Sequence, residues 1–239
     1  MSIKLHHALE VSEGDNVTVK RLMPVHGMRN FDPFVLWDHF DIAGGGFPDH
    51  PHRGFEAITY LFSGGMRHKD NLGNEGTIHA GGAQRFTAGH GIVHSEFPDG
   101  SAHGIQLWVN LPKRLKRIAP EYQQLQGGDI PEQQESGSMI RTIVGARSPL
   151  RLHTSVQYLD MQLAAGAKTR RILPEDYRGL IYVVQGSGIV NGQDIGAGMA
   201  AYFDAETDIT LSSQTGGRFM LAAGMPHGEP IVQHGPFVD

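Results

Sequence analysis

Two short patterns in the sequence could together hold a metal ion. His50-Pro51-His52 sets two imidazoles at i and i+2. His94-Ser95-Glu96 sets an imidazole and a carboxylate at the same spacing. Successive side chains of a strand point to opposite faces, so each pair shares one face. On neighbouring strands the two pairs would bring three imidazoles and one carboxylate around a point. Four protein ligands leave one or two positions open on a five- or six-coordinate ion, and an open position separates catalytic from structural sites. Such a position could take a substrate oxygen, water or dioxygen. Histidine is also clustered, with eight of the 14 lying between residues 39 and 103.

The spacing leaves the carboxylate open. Glu96 is i+2 from His94. Glu56 is i+4 from His52 and shares its face if that strand is regular. His39, His68, His79, His90 and His103 read as surface residues, pocket lining or supports behind a ligand. No competing signature is present: the chain has no GxSxG, P-loop or HExxH, and Gly44-Gly45-Gly46 lacks the GKS ending of a phosphate cradle.

The elements that must position these groups are short strands. Glycine is abundant, at 32 of 239 residues, which favours many tight turns and an all-β architecture. Strands are expected at Phe34–Phe40, around His50 and His52, at Phe55–Phe62, at Ile92–Phe97 and at His103–Leu111. Turns are expected at Ser63-Gly64-Gly65 and Pro98-Asp99-Gly100. Trp37 and Phe40 read as core. Residues 112–138 read as a polar, proline-punctuated linker, which places a domain boundary near 135 and gives domains 1–135 and 136–239. Beyond it, Ala57–Gly64 resembles Leu180–Gly186, and each is followed by a return strand, a glycine turn and Ala83–Phe86 or Ala200–Phe203. The reading is two related β-barrels in tandem. The second copy has no HxH, so only the first would hold a metal.

Composition narrows the chemistry. Hydrophobic residues make up 39% and charged residues 19%, as in a folded protein. Cysteine is absent, so any metal rests on nitrogen and oxygen ligands. These suit iron(II), manganese, nickel, cobalt, copper or zinc. A net charge of −5 does not suggest direct contact with nucleic acid. The basic cluster Lys113, Arg114, Lys116 and Arg117 reads as a solvated loop. The first residues carry no apolar signal segment and no apolar run reaches membrane-span length, so a cytoplasmic protein without membrane contact is expected.

Several stretches resemble the pirin family of bicupins: Asp32-Pro33-Phe34, Gly46-Phe-Pro-Asp-His-Pro-His-Arg-Gly-Phe-Glu56, Thr87-Ala-Gly-His-Gly-Ile-Val-His-Ser-Glu96, His103-Gly-Ile-Gln-Leu-Trp-Val-Asn-Leu111, Glu229-Pro-Ile-Val232 and Gly235-Pro-Phe-Val238. The resemblance implies two cupin (jelly-roll) barrels with the metal in the first. It implies that His50, His52, His94 and Glu96 are the ligands, that Glu56 is only a nearby polar group, and that the metal is commonly iron. Members with this ending often continue into a C-terminal helix, whereas this sequence ends at Asp239. Two functions are implied. One is a quercetin 2,3-dioxygenase, in which Glu96 accepts or orients the proton of the flavonol 3-hydroxyl and dioxygen opens the heterocycle with release of carbon monoxide; a roomy apolar pocket between the barrels would support it. The other is an iron-dependent partner of transcription factors or metabolic enzymes, with the iron redox state as switch.

Overall fold

The computed structural model describes residues 3–204 and 206–239, and it is all-β apart from two single-turn 3-10 segments. The strands are β1 (Lys4–His7), β2 (Leu9–Glu13), β3 (Val17–Met23), β4 (Phe34–Ile42), β5 (Phe47–His52), β6 (Phe55–Asp70), β7 (Glu75–His79), β8 (Ala83–Thr87), β9 (Ile92–Asn110) and β10 (Glu121–Leu125). They continue with β11 (Glu132–Glu135), β12 (Ser138–Val144), β13 (Val156–Leu163), β14 (Lys168–Ile172), β15 (Arg178–Val190), β16 (Gln193–Gly196), β17 (Met199–Phe203), β18 (Asp208–Ser212) and β19 (Gly217–Gly224). β20 (Gln233–His234) and β21 (Phe237–Val238) close the chain.

Two compact units result. The first comprises Leu9–Ile130, Leu152–Thr154 and His227–Asp239. The second comprises the N-terminal segment to Ala8, Pro131–Arg151 and Ser155–Pro226. A single cut near residue 135 does not describe this division, because both termini change sides. β1 pairs with β17 and so joins the second unit. The C-terminal hairpin joins the first, held by an Arg53–Asp239 ion pair and by the Lys116 ammonium, which donates to the carbonyls of Gly54 and Val238 and to the Asn110 amide oxygen. Lys116 is therefore a clamp rather than a solvated loop residue.

In the first unit the sheet runs β10-β8-β6-β9-β4-β3-β2, with β5 also on β9 and β7 also on β6. β6 and β9 are long strands of 16 and 19 residues. The turns expected at 63–65 and 98–100 do not end them. Gly64, at φ +75°, and Gly100, at φ +78°, adopt left-handed backbone that glycine takes without strain. The β6–β9 ladder slips in register at Leu61/Ser63 and Gly64/Met66 and then continues. Such bulges bend a strand without terminating it, so one bent hairpin supplies two walls of a barrel. β15 and β19 repeat the device, with a register slip at Val183/Gln185. This matches the internal repeat between Ala57–Gly64 and Leu180–Gly186.

The polar stretch 112–138 is structured. Tyr122 and its neighbours form β10 on the edge of β8, with Glu121 opposite Thr87 and Leu125 opposite Ala83. β11 pairs with β12. An edge strand faces water on one side, so its sequence carries many glutamines and glutamates and resembles a linker.

The two interiors differ. That of the second unit is packed with aliphatic and aromatic side chains such as Ile140, Met161, Ile181, Val183, Phe203, Phe219 and Leu221. Each contributes on the order of 1.5–3 kcal/mol by leaving water; the buried Asp160 of this unit is paired with Arg218. In the first unit, apolar clusters around Phe55, Phe86 and Trp108, and around Phe40, Leu61 and Met66, leave a polar interior between them.

Candidate metal centre

β9 brings the two sequence patterns together. His94 on β9 lies directly opposite His50 on β5 and Asp70 on β6, and Glu96 lies opposite Phe47 and His68. Directly opposed residues hold their Cβ atoms about 4.5–5.5 Å apart. Burial alternates along this part of β9: Ile92, His94, Glu96 and Pro98 point inward, while Val93 is exposed. The period of two read from the sequence is thus realised on this strand.

The imidazoles of His50, His52 and His94 converge, with one ligand atom from each within 4.8 Å of the others. His94 Nε2 lies 3.0 Å from His50 Nε2. Each Nδ1 is engaged from outside. His50 Nδ1–H donates to the Pro48 carbonyl at 2.7 Å and His52 Nδ1–H to the Pro236 carbonyl at 3.3 Å, while His94 Nδ1 faces His68 Nδ1 at 3.3 Å. A ring that donates from Nδ1 keeps its Nε2 lone pair for a cation, and such outer partners commonly set the tautomer of a metal ligand. The donor set therefore fits a first-row divalent metal. The three outer partners were not legible in the sequence; Pro236 is 184 residues from His52.

Glu96 is buried and is held by three donors. Gln84 Nε2 and Thr59 Oγ1 donate to Oε1 at 2.6 and 3.1 Å, and Gln106 Nε2 donates to Oε2 at 2.7 Å. Its carboxylate groups with His68 and His94, again within 4.8 Å, rather than with all three converging histidines.

Glu56 takes no part in either cluster. The chain kinks between β5 and β6 at Gly54, φ +85°, where an added Cβ would overlap the Val238 carbonyl. The kink breaks the parity that would put Glu56 on the face of His52. Its carboxylate instead accepts from Thr87 Oγ1 and from the backbone N–H of His153, both at 2.8 Å. Burial pushes its pKa up. Of the other histidines, His79 and His90 are exposed, His39 and His103 stack on each other with Nε2 atoms 2.8 Å apart, and His68 is buried behind His94.

A cavity of about 790 Å³ opens beside the cluster, within the roughly 300–1,000 Å³ of small-molecule sites. His50, His52, Glu96 and Gln106 line it, with Leu36, Phe40, Phe47, Met66 and Trp108 as its apolar wall. Every lining residue belongs to the first unit. Arg21 adds a charged patch, donating to Asp38 through Nε and Nη2 at 2.7 and 2.6 Å and pairing with Glu13 at 2.7 Å.

Burial lowers the basicity of two of the imidazoles. It pulls the His52 pKa down to about 2, helped by the neighbouring His94 and His50, and holds His94 well below the usual range. Both groups then bind protons more readily unfolded than folded. Their contribution to stability is complete above about pH 6.5 and is lost as pH falls below it, by up to about 1.4 kcal/mol per pH unit for each group. The urea midpoint of the metal-free protein is expected to fall between pH 7.5 and 5.5. A flat profile would mean that the imidazoles are hydrated.

Two jelly-roll barrels, one with a large apolar cluster inside and one with inward-facing histidines beside a cavity, define a two-domain cupin protein. Comparison with known proteins names the family. The Pirin family model matches residues 16–109, and the Pirin C-terminal cupin domain model matches residues 158–239. Pirin-1 of Arabidopsis thaliana is 40% identical over 239 residues, spanning 95% of this chain and 83% of that protein. A Pseudomonas aeruginosa protein named "Putative quercetin 2,3-dioxygenase" is 38% identical, spanning 99% of this chain and 90% of its own length. The crystal structure of a quercetin 2,3-dioxygenase from Acinetobacter baumannii is similar with a TM-score of 0.89 at 29% identity, covering 98% of this chain and 90% of that one. The chain belongs to the pirin family. Among the described residues, no helix is long and apolar enough to cross a membrane.

Proposed function

We propose that this pirin is a metal-dependent dioxygenase that opens quercetin-type flavonols with dioxygen and releases carbon monoxide. In this reading His50, His52, His94 and Glu96 hold the metal, iron(II) in the first instance. The observation that carries it is the convergence of three imidazoles beside an aromatic-walled cavity whose lining includes Glu96. The names of the Pseudomonas and Acinetobacter proteins support the substrate class.

When bound, the metal supplies Lewis acidity and one-electron chemistry. The chain's own residues do the rest. Gln84, Thr59 and Gln106 hold the Glu96 carboxylate aimed through three hydrogen bonds. From there it accepts the proton of the flavonol 3-hydroxyl, or orients it, as a carboxylate beside a cation can. Trp108 is fixed by donating from its indole N–H to Gln106 Oε1 at 2.9 Å. With Leu36, Phe40 and Phe47 it covers the flat rings and excludes water. The Arg21–Asp38–Glu13 patch offers hydrogen bonds to ring hydroxyls.

The test is to load the protein anaerobically with iron(II), add quercetin and then oxygen, and follow flavonol absorbance and carbon monoxide. Turnover in the loaded protein and none in the metal-free protein is expected. Iron bound without turnover would overturn the flavonol reading and favour a metal-dependent regulatory partner.

A further inference from the structure

Behind His94 lies a buried chain of polar groups that the proposed chemistry does not use. His68 is 1% exposed, and neither its side chain nor that of Asp70 reaches solvent. His68 Nδ1 faces His94 Nδ1 at 3.3 Å, and His68 Nε2 lies 3.1 Å from Asp70 Oδ2. One assignment of protons satisfies both contacts. Asp70 as a carboxylate can only accept, so His68 donates from Nε2. His68 Nδ1 is then the acceptor, and His94 donates from Nδ1. Asp70 is itself fixed: Oδ1 accepts from the backbone N–H groups of Leu72 and Asn74 at 2.9 and 3.0 Å, and the Asn74 amide donates to Oδ2 at 2.9 Å. Tyr122 closes the other side of His68, stacked at 4.2 Å between ring centroids.

His68, His94 and Glu96 come close enough to resemble a second ligand set. The hydrogen bonds argue otherwise. Both nitrogens of His68 are committed, one to His94 and one to Asp70, so it offers no lone pair to a cation.

We propose that Asp70 and His68 form a positioning relay that fixes the tautomer of His94 and increases the electron donation of its Nε2. The proposal rests on the reading of His94 as a metal ligand. An anion at the far end of two imidazoles strengthens the Nδ1–H hydrogen bond and makes Nε2 the better donor. A better donor favours the higher oxidation state of a bound iron, so the relay holds the iron(III)/iron(II) potential down. The same relay holds the ring in place when the metal is exchanged.

The experiment uses the full chain loaded with iron(II), in wild type, Asp70→Asn, His68→Gln and His90→Gln. Affinity is read by competition with a chromophoric chelator and the midpoint potential by dye-mediated titration. Asp70→Asn keeps the shape and the Oδ1 acceptor but removes the charge. It is expected to weaken iron(II) binding by about 10–100-fold and to raise the potential. His68→Gln is expected to act in the same direction, and it reads the relay if Asp70→Asn does not fold. His90→Gln removes an exposed histidine outside both clusters and is expected to leave both values near wild type. Tight wild-type binding with affinity and potential unmoved in Asp70→Asn and His68→Gln would overturn the relay while leaving the metal site standing. A wild-type protein that binds no metal would overturn the site reading itself.

Discussion

Replacing His94 with alanine is expected to abolish metal loading. The loss should exceed the roughly 10–100-fold that removal of an outer partner costs, because His94 is the pivot of the cluster. Its ring centroid lies 4.4 Å from that of His50 and 5.0 Å from that of His52. It sits at the centre of a three-strand row with His50 on one side and Asp70 on the other. Without it, the remaining two imidazoles have no third nitrogen on the facing strand. Competition with a chromophoric chelator measures the effect, and the urea midpoint shows whether the fold persists. A second signature should accompany the loss. The acid sensitivity of the metal-free protein should shrink by up to about 1.4 kcal/mol per pH unit below pH 6.5, because one buried neutral imidazole is gone. Retained tight binding in His94→Ala would place the metal elsewhere.

Glu96→Ala is expected to separate catalysis from loading. Three imidazoles remain, so metal should still bind, though more weakly. Turnover of flavonol should fall by about 10²–10⁴-fold, the usual contribution of a positioned acid–base group. Truncation also leaves the Gln84, Thr59 and Gln106 donors without their acceptor. A buried donor left unpaired costs about 1–3 kcal/mol, so a lower urea midpoint should accompany the kinetic loss. Turnover per bound metal is the quantity to compare. If it is unchanged, Glu96 serves only to hold the barrel interior together.

Much of this site was legible because its chemistry is local in sequence. His50 with His52, and His94 with Glu96, are pairs on single strands, and a strand period of two places each pair without further information. What the sequence hid is non-local or depends on one backbone angle. The left-handed turn at Gly54 takes Glu56 off the face of His52, and four residues of spacing cannot reveal it. Gly64 and Gly100 read as turns because glycine marks turns and bulges alike. The polar run around Tyr122 read as linker because an exposed edge strand and a linker share a composition; only pairing with β8 separates them. The partners of His52 and His94, the Pro236 carbonyl and the His68 ring, are brought in by the C-terminal hairpin and by the far half of a bent strand. The apolar cluster of the second unit, in contrast, follows from a sequence that places Ile181, Val183, Phe219 and Leu221 at inward positions of β15 and β19, with no histidine on either strand.

The central claim is that His50, His52, His94 and Glu96 surround one metal ion. X-ray absorption at the iron edge of the iron(II)-loaded protein tests it most directly, because imidazole rings leave a multiple-scattering signature that counts them. Three imidazoles with additional oxygen, falling to two or fewer in any protein still loaded after His94→Ala, is the predicted result. Iron surrounded by oxygen with one imidazole or none would contradict the account and move the metal away from this cluster.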